Sequence, residues 1–203
     1  MGLFSSIVLA ISAAWFGAWL QRRHWLLNLA EEIRMRETKE LSSIADLISS
    51  SVDKRIAVQR QLLFSVLRND FDKRYIDGYR SAIVSYSENY NTIRAKLNFY
   101  LSYDRVIYFE EEVNNRLVSN GDRIVALYKS SLTGSRSDFF QDELHALNRG
   151  LSAISADVYR LCDSVYQSIS EGDFGTSRHV NNWKDEKNIH YTSVKLAKKI
   201  FNI

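Results

Sequence analysis

Residues 144–165 read LHALNRGLSAISADVYRLCDSV, and this stretch decides the fold class. Its apolar residues recur at alternating steps of three and four: Leu144, Leu147, Leu151, Ile154, Val158, Leu161 and Val165. A repeat of about 3.5 residues is typical of the seam of a coiled coil or a helical bundle. The stretch therefore predicts one long helix that packs against other helices along its whole length.

Two earlier segments, 70–101 and 105–132, carry apolar stripes at helical spacing. The 203-residue chain has no proline and only eight glycines, so little in it interrupts a helix. Neither an alternating strand pattern nor a repeat of solenoid length occurs. We therefore predict an all-α protein with three to four long helices in an elongated up-and-down bundle, packed as in a coiled coil.

Four local features predict where the helices bend or end. The serines at 49–51 predict a bend, because serine competes for backbone hydrogen bonds, and Asn120-Gly121 predicts a kink. Asp104 can cap the helix that follows it. The segment 133–137, TGSRS, predicts a loop before a helix that opens at Asp138.

The N-terminal segment is uncharged from residue 1 to residue 21. As a helix, the nineteen residues of 2–20 would span roughly 28 Å, close to the thickness of bilayer hydrocarbon. Tryptophans and arginines follow where a span would leave the bilayer, and these membrane-anchor and interface residues are Trp15, Trp19, Arg22, Arg23 and Trp25. The order predicts a single transmembrane helix within residues 1–24.

The positive charges predict the orientation of this anchor. Arg22 and Arg23 follow the span and no basic side chain precedes it, so the positive-inside tendency places the N-terminus outside and the helical domain in the cytoplasm. A bacterial inner membrane suits this arrangement. One alternative is a signal peptide cleaved after Ala14, where Ser12 and Ala14 offer a weak cleavage site, which would release a secreted helical protein.

The sequence predicts four regions. Residues 1–24 form the anchor, 25–69 a stalk that is also the first long helix, and 70–175 the core of the bundle. Residues 176–203 form a polar segment and a short basic amphipathic helix at about 191–201. That last helix either covers the bundle or lies on an anionic leaflet.

Two residue sets are candidate contacts with other molecules. Small residues recur every four positions within the predicted span, which lets two helices approach closely in lipid: Ser6, Ala10, Ala14 and Ala18. Four tyrosines lie along one side of the helix in 70–101 and predict either a bundle core or a protein interface: Tyr75, Tyr79, Tyr86 and Tyr90.

No complete catalytic, cofactor or metal site occurs in the sequence. With 27 Lys+Arg against 24 Asp+Glu the net charge is only +3, which gives no sign of a nucleic-acid partner. Asp138, Asp142 and His145 supply one carboxylate-x-x-His pair, whereas a di-iron bundle needs two such pairs and further carboxylates. The single Cys162 lies in an apolar stripe, where an inert thiol is expected. We therefore predict no enzyme activity, no cofactor, no metal and no small-molecule substrate.

These patterns together predict a single-pass membrane-anchored scaffold or regulatory subunit. Its expected partners are the lipid bilayer, a second copy of the chain, and another membrane or membrane-proximal protein. An alternative is a membrane-active effector, a toxin or host-defence protein whose assembly perturbs the bilayer. The absence of polar residues that could line a pore in the span speaks against that alternative.

Overall fold

The computed structural model describes residues 2–134 and 140–175, without the side chains of residues 2–5 and 8. Within these ranges all regular structure is helical and no strand occurs. A π-helical segment, Phe109–Asn115, joins the third helix to the fourth. The α-helices are α1 (Gly2–Arg68), α2 (Lys73–Tyr100), α3 (Tyr103–Tyr108), α4 (Arg116–Leu132) and α5 (Phe140–Glu171). The predicted all-α class and helical bundle are confirmed.

Pairs of side-chain contacts establish the up-and-down order. Between α1 and α2, Lys96 bonds Glu40 at 2.8 Å and Asn89 bonds Ser51 at 3.1 Å, so residue numbers rise on one helix as they fall on the other. Contacts between α4 and α5, and between α5 and α1, also pair rising residue numbers on one helix with falling numbers on the other. Side-chain bonds from α2 to the π-helical segment have the same opposite order. Consecutive long helices are therefore antiparallel, with α3, the π-helical segment and α4 acting together as the third.

The seam of α5 lies in the core as the 3.5-residue repeat predicts. All seven of its apolar positions are buried, and Leu147, Leu151, Ile154 and Val165 have no exposed surface. The helix is followed by Gly172, which adopts a positive φ of 69°. The amide of Asp173 then donates to the carbonyl of Ser168 at 3.0 Å, which satisfies an orphan carbonyl of the last turn.

Helix α1 runs without interruption through residues 49–51 to Arg68, so the serines do not break the helix. The serine hydroxyls bond locally without displacing the backbone: Ser50 donates to the Leu47 carbonyl at 3.3 Å, and Ser49 donates to Asp53 at 3.0 Å. The residue that follows the helix, Asn69, takes the left-handed conformation with φ 55°. Glycine is the usual residue in the left-handed position that follows a helix, but asparagine tolerates this conformation better than most other residues. Asn69 occupies that position after α1.

The chain clusters into two compact units, Met1–Lys39 and Glu40–Ile203. Within the second unit, the second half of α1 supplies a full stripe to the bundle core: Leu41, Ile44, Ile48, Val52, Ile56, Leu62, Leu63 and Val66. This half of α1 is therefore one of the helices that enclose the core.

The third long helix is irregular at a different place from the one predicted. Its π-helical turn lies at Phe109–Asn115, whereas α4 continues through Asn120 and Gly121 without a break. Gly121 serves packing instead, because a Cβ there would collide with the Tyr79 hydroxyl. The residue before α3 is Ser102, whose side chain makes no capping bond, and Asp104 lies in the first turn. The predicted cap at Asp104 is therefore wrong.

No helix in the described part of the chain combines the length and apolar character needed to cross a membrane. The predicted transmembrane span is thus not confirmed. Met1 and the side chains of residues 2–5 and 8, which belong to that prediction, lie outside the described residues. The predicted helix start at Asp138 and the predicted helix at 191–201 also lie outside them.

Candidate functional site

The tyrosines singled out on α2 face the interior of the bundle to different degrees. Tyr79 and Tyr86 are buried, with 4% and 3% of their surfaces exposed, so neither is available to a partner in this conformation. Tyr75 and Tyr90 are partly buried against the core. The hydroxyl of Tyr75 donates to Asp70 at 3.0 Å, next to the turn that joins α1 to α2. The tyrosine stripe therefore contributes mainly to the core of the bundle.

Around Tyr86 the bundle contains a polar layer. It consists of side chains from α1, α2 and the π-helical segment: Arg55, Gln59, Tyr79, Tyr86, Tyr90, Glu110 and Asn114. The Tyr86 hydroxyl donates to Oδ1 of Asn114 at 3.1 Å, and the Tyr90 hydroxyl donates to Glu110 at 2.5 Å. Arg94, on the outer side of α2, pairs with the same carboxylate at 2.6 Å. These bonds tie α2 to the π-helical segment.

The π-helical turn places two of the acceptors in this layer. Glu110 and Asn114 both reach α2, and Nδ2 of Asn114 also donates to Glu110 at 3.3 Å. Glu110 is the first of three consecutive glutamates, and its carboxylate accepts bonds from Tyr90 and Arg94. Segments of π-helix are often found at functional sites, so this layer is the natural first candidate in the bundle.

The α1 side of the polar layer was missed by sequence reasoning. Arg55 and Gln59 are 5% and 0% exposed, and Nε2 of Gln59 donates to the Leu117 carbonyl at 2.9 Å. Among the described residues, Arg55 Nε and Gln59 Oε1 have no hydrogen-bond partner. A signal was present in the sequence, since both residues occupy stripe positions of α1, between Ile48 and Leu63, where apolar residues are expected.

Burial keeps the phenols of the polar layer neutral. It raises the pKa of Tyr86 and of Tyr79 above the ordinary tyrosine value, with the Arg55 charge acting in the opposite direction on both. The pKa of Tyr90 is raised first by burial and then by its bond to Glu110. A neutral phenol is a hydrogen-bond donor and cannot act as a base near pH 7. At neutral pH the phenols of this layer are therefore available as hydrogen-bond donors between helices.

A second polar cluster joins α5 to the third long helix. Asp157 is 5% exposed and accepts bonds from Arg116 at 2.5 Å and from Arg160 at 2.6 Å. The Tyr108 hydroxyl approaches the same carboxylate at 3.4 Å. Two cations around one buried carboxylate satisfy its charge. Both oxygens of the Asp157 carboxylate thus accept bonds within the chain, and the cluster ties α5 to the third long helix.

The other candidate metal-ligating and nucleophilic residues form no site in the described part of the chain. No group of three or more His, Cys, Asp or Glu side chains there could hold a metal ion, and Asp142 and His145 are exposed at the start of α5. Burial raises the pKa of the Cys162 thiol to about 11, and its sulfur lies 3.5 Å from the Ala45 carbonyl. A thiol held in its protonated form is a poor nucleophile.

The N-terminal unit presents apolar and small side chains at its surface. The four small residues Ser6, Ala10, Ala14 and Ala18 are all exposed. Among the predicted interface residues, Trp15 is 72% exposed, Trp19 45% and Trp25 58%, and Arg22 and Arg23 are also exposed. The guanidinium carbon of Arg23 lies 5.6 Å from the centroid of the Trp19 ring. This helix surface is therefore the second candidate site.

Comparison with known proteins adds no family: no protein-family model, curated protein or solved structure matches the chain.

Proposed function

We propose that this chain is a membrane-anchored helical interaction protein. Its N-terminal segment, residues 1–24, is the anchor, and its bundle positions or regulates a partner at the membrane without catalysing a reaction. The observation that carries this proposal is the exposure of large apolar side chains along the start of α1: Ile7, Leu9, Ile11, Trp15, Phe16, Trp19 and Leu20. Apolar surface of this extent in water costs about 25 cal/mol for each Å², so a nonpolar surrounding stabilises it.

A lipid bilayer fits this segment better than a protein groove does. Exposed apolar side chains are not confined to one stripe, since consecutive residues such as Trp15 and Phe16 point in different directions. A groove in a partner would cover one face only, whereas lipid surrounds the helix. The proposed anchor also includes Leu3, Phe4 and Val8, which extend the apolar sequence toward the N-terminus.

The bundle offers its outer surface, not its interior, to a protein partner. Its core is filled by buried side chains, and the polar layer and the Asp157 cluster bond within the chain. A non-catalytic role follows most simply from such an interior. The partner is a second copy of the chain or another membrane protein, and the small residues Ala10, Ala14 and Ala18 on the exposed helix suit close contact between two anchors.

Alkaline carbonate extraction of membranes from cells that express the full chain tests the anchor. The wild-type protein is expected to stay in the membrane pellet. The double variant Ile11→Arg/Phe16→Arg is expected to move to the supernatant, because each arginine within the hydrocarbon costs about 2.5–3.5 kcal/mol. Leu27→Arg/Met35→Arg is the matched control, since these side chains are also exposed and apolar but follow Arg22 and Arg23. Extraction of the wild-type protein would overturn the proposal.

Cysteine labelling tests the proposed orientation. Single cysteines are introduced at Gly2 and at Ser135 in a Cys162→Ala background and are labelled with an impermeant maleimide, first in intact cells and then in spheroplasts after lysis. The proposed orientation requires the site at Ser135 to react only after lysis. Labelling of that site in intact cells would place the bundle on the outer side and contradict the orientation while leaving the anchor intact.

A further inference from the structure

Three side chains on successive turns of α1 form an aromatic–cationic ladder, defined here as Phe16, Trp19 and Arg23. The rings of Phe16 and Trp19 stack with their centroids 5.9 Å apart and their planes 23° apart. The guanidinium carbon of Arg23 then lies 5.6 Å from the Trp19 centroid. All three side chains are exposed. One face of the helix therefore presents, in order, the apolar ring of Phe16, the indole of Trp19 and the cation of Arg23.

Among the residues that the structure describes, no carboxylate neutralises the cationic end of the ladder. Neither Arg22 nor Arg23 forms an ion pair within the part of the chain that the structure describes. The first acidic residue after them is Glu31, eight positions beyond Arg23, which is about 12 Å along a helix. Two adjacent guanidinium groups therefore concentrate positive charge at the end of the apolar segment. Guanidinium is the side-chain group best suited to phosphate, because it donates two parallel hydrogen bonds.

We propose that the ladder, together with Arg22, binds the phosphate groups of anionic phospholipids at the bilayer surface. The inference rests on the proposed function, since it takes the apolar side of the ladder to lie in lipid. Phe16 then contacts acyl chains, the Trp19 indole occupies the interface that tryptophan favours, and Arg23 reaches the phosphates. The contact between Trp19 and Arg23 limits the directions that the guanidinium can take, so less side-chain freedom is lost on binding. The ladder thereby sets both the depth of the helix and its preference for anionic leaflets.

Energy transfer to labelled lipids tests the proposal. The full chain is reconstituted into vesicles of phosphatidylcholine with a minority of phosphatidylglycerol, and a trace of either lipid carries a pyrene acyl chain. Transfer from the tryptophans to pyrene reports how much of that lipid lies beside the helix. For the wild-type protein we expect more transfer to labelled phosphatidylglycerol than to labelled phosphatidylcholine, and we expect that preference to fall as salt is raised.

The decisive variant is Arg22→Gln/Arg23→Gln, which keeps every tryptophan donor. Its preference for phosphatidylglycerol is expected to fall by up to about fivefold for each arginine removed. Arg34→Gln/Arg36→Gln is the matched control, because it removes the same charge from exposed positions further along the same helix, and it is expected to keep most of the preference. Equal transfer to both lipids in the wild-type protein, or an equal loss in the control, would overturn the inference while the anchor stands. Failure of the wild-type protein to float with either kind of vesicle would overturn the anchor and the inference together.

Discussion

The guanidinium carbon of Arg55 lies 4.7 Å from the centroid of the Tyr86 ring, inside a bundle where both side chains are almost fully buried. Among the described residues no carboxylate forms an ion pair with Arg55. A desolvated cation–π contact contributes about 2 kcal/mol, whereas removing a charge from water costs several kcal/mol even after relaxation. The pair is therefore a specific contact that carries an energetic cost.

The variant Arg55→Met is accordingly expected to leave the bundle at least as stable as the wild-type protein. Methionine is a long apolar side chain without a charge, so Arg55→Met removes the cost of keeping a charge out of water. Even buried ion pairs are often replaced by apolar residues with no loss, or with a gain of about 1–4 kcal/mol. Urea unfolding followed by circular dichroism measures the free energy of unfolding. Arg60→Met is the control, because Arg60 is only partly buried and bonds Ser152 near the surface. A clear loss of stability in Arg55→Met alone would show that the charge is stabilised by its surroundings.

The hydroxyl of Tyr86 is expected to stabilise the attachment of α2 to the π-helical segment. Tyr86→Phe removes the donor to Asn114 and leaves a part-buried amide oxygen without that bond, so we expect a loss of about 1–2 kcal/mol in the free energy of unfolding. Tyr159→Phe provides the comparison, since Tyr159 is 73% exposed and such surface changes stay within about 0.5 kcal/mol. Equal unfolding midpoints for the two variants would contradict a stabilising role for this hydrogen bond.

Gly121 is expected to be required for the close approach of α4 to α1 and α2. A Cβ at this position would lie 2.7 Å from Nε2 of Gln59 and closer still to the Tyr79 hydroxyl. We expect Gly121→Ala to destabilise the bundle by about 1–3 kcal/mol, the usual cost of overpacking, reduced by up to about 1 kcal/mol of gained helix propensity. Removal of the hydroxyl in Gly121→Ala/Tyr79→Phe is expected to recover part of the loss.

Gly78 supplies the matched control for this prediction. It lies in α2 with nothing within 4 Å of a Cβ built on it, so Gly78→Ala is expected to stabilise the protein by about 0.5–1 kcal/mol. The two glycine variants should therefore shift the unfolding midpoint in opposite directions. A shift in the same direction would mean that the side chains around Gly121 relax to admit the added methyl group without cost.

The seam of α5 was predictable because its burial is one-sided and regular, and a period of 3.5 residues has few other physical causes. The packing role of Gly121 was not predictable from the sequence, because the effect of a glycine depends on which side chains lie opposite it in space. The serines at 49–51 do not interrupt α1, because a serine hydroxyl can bond within a helix as readily as it can compete with its backbone. The polar layer was predictable in part, because Arg55 and Gln59 interrupt an apolar stripe of α1. Their partners Tyr86 and Leu117 lie far away in sequence and could not be identified from it.

The thiol of Cys162 is expected to react slowly in the folded protein. Burial raises its pKa from 9.0 to about 11, so the thiolate fraction at pH 8 falls by roughly 100-fold. Iodoacetamide alkylation followed by mass spectrometry measures the rate, and the same reaction in urea gives the unfolded reference. The raised pKa of the Cys162 thiol also makes the free energy of unfolding depend on pH. The contribution of the neutral thiol is fully present below pH 9 and is lost as the pH rises toward 11. Cys162→Ala is expected to flatten that part of the alkaline stability profile, and fast alkylation of the native protein at pH 8 would contradict the burial of the sulfur.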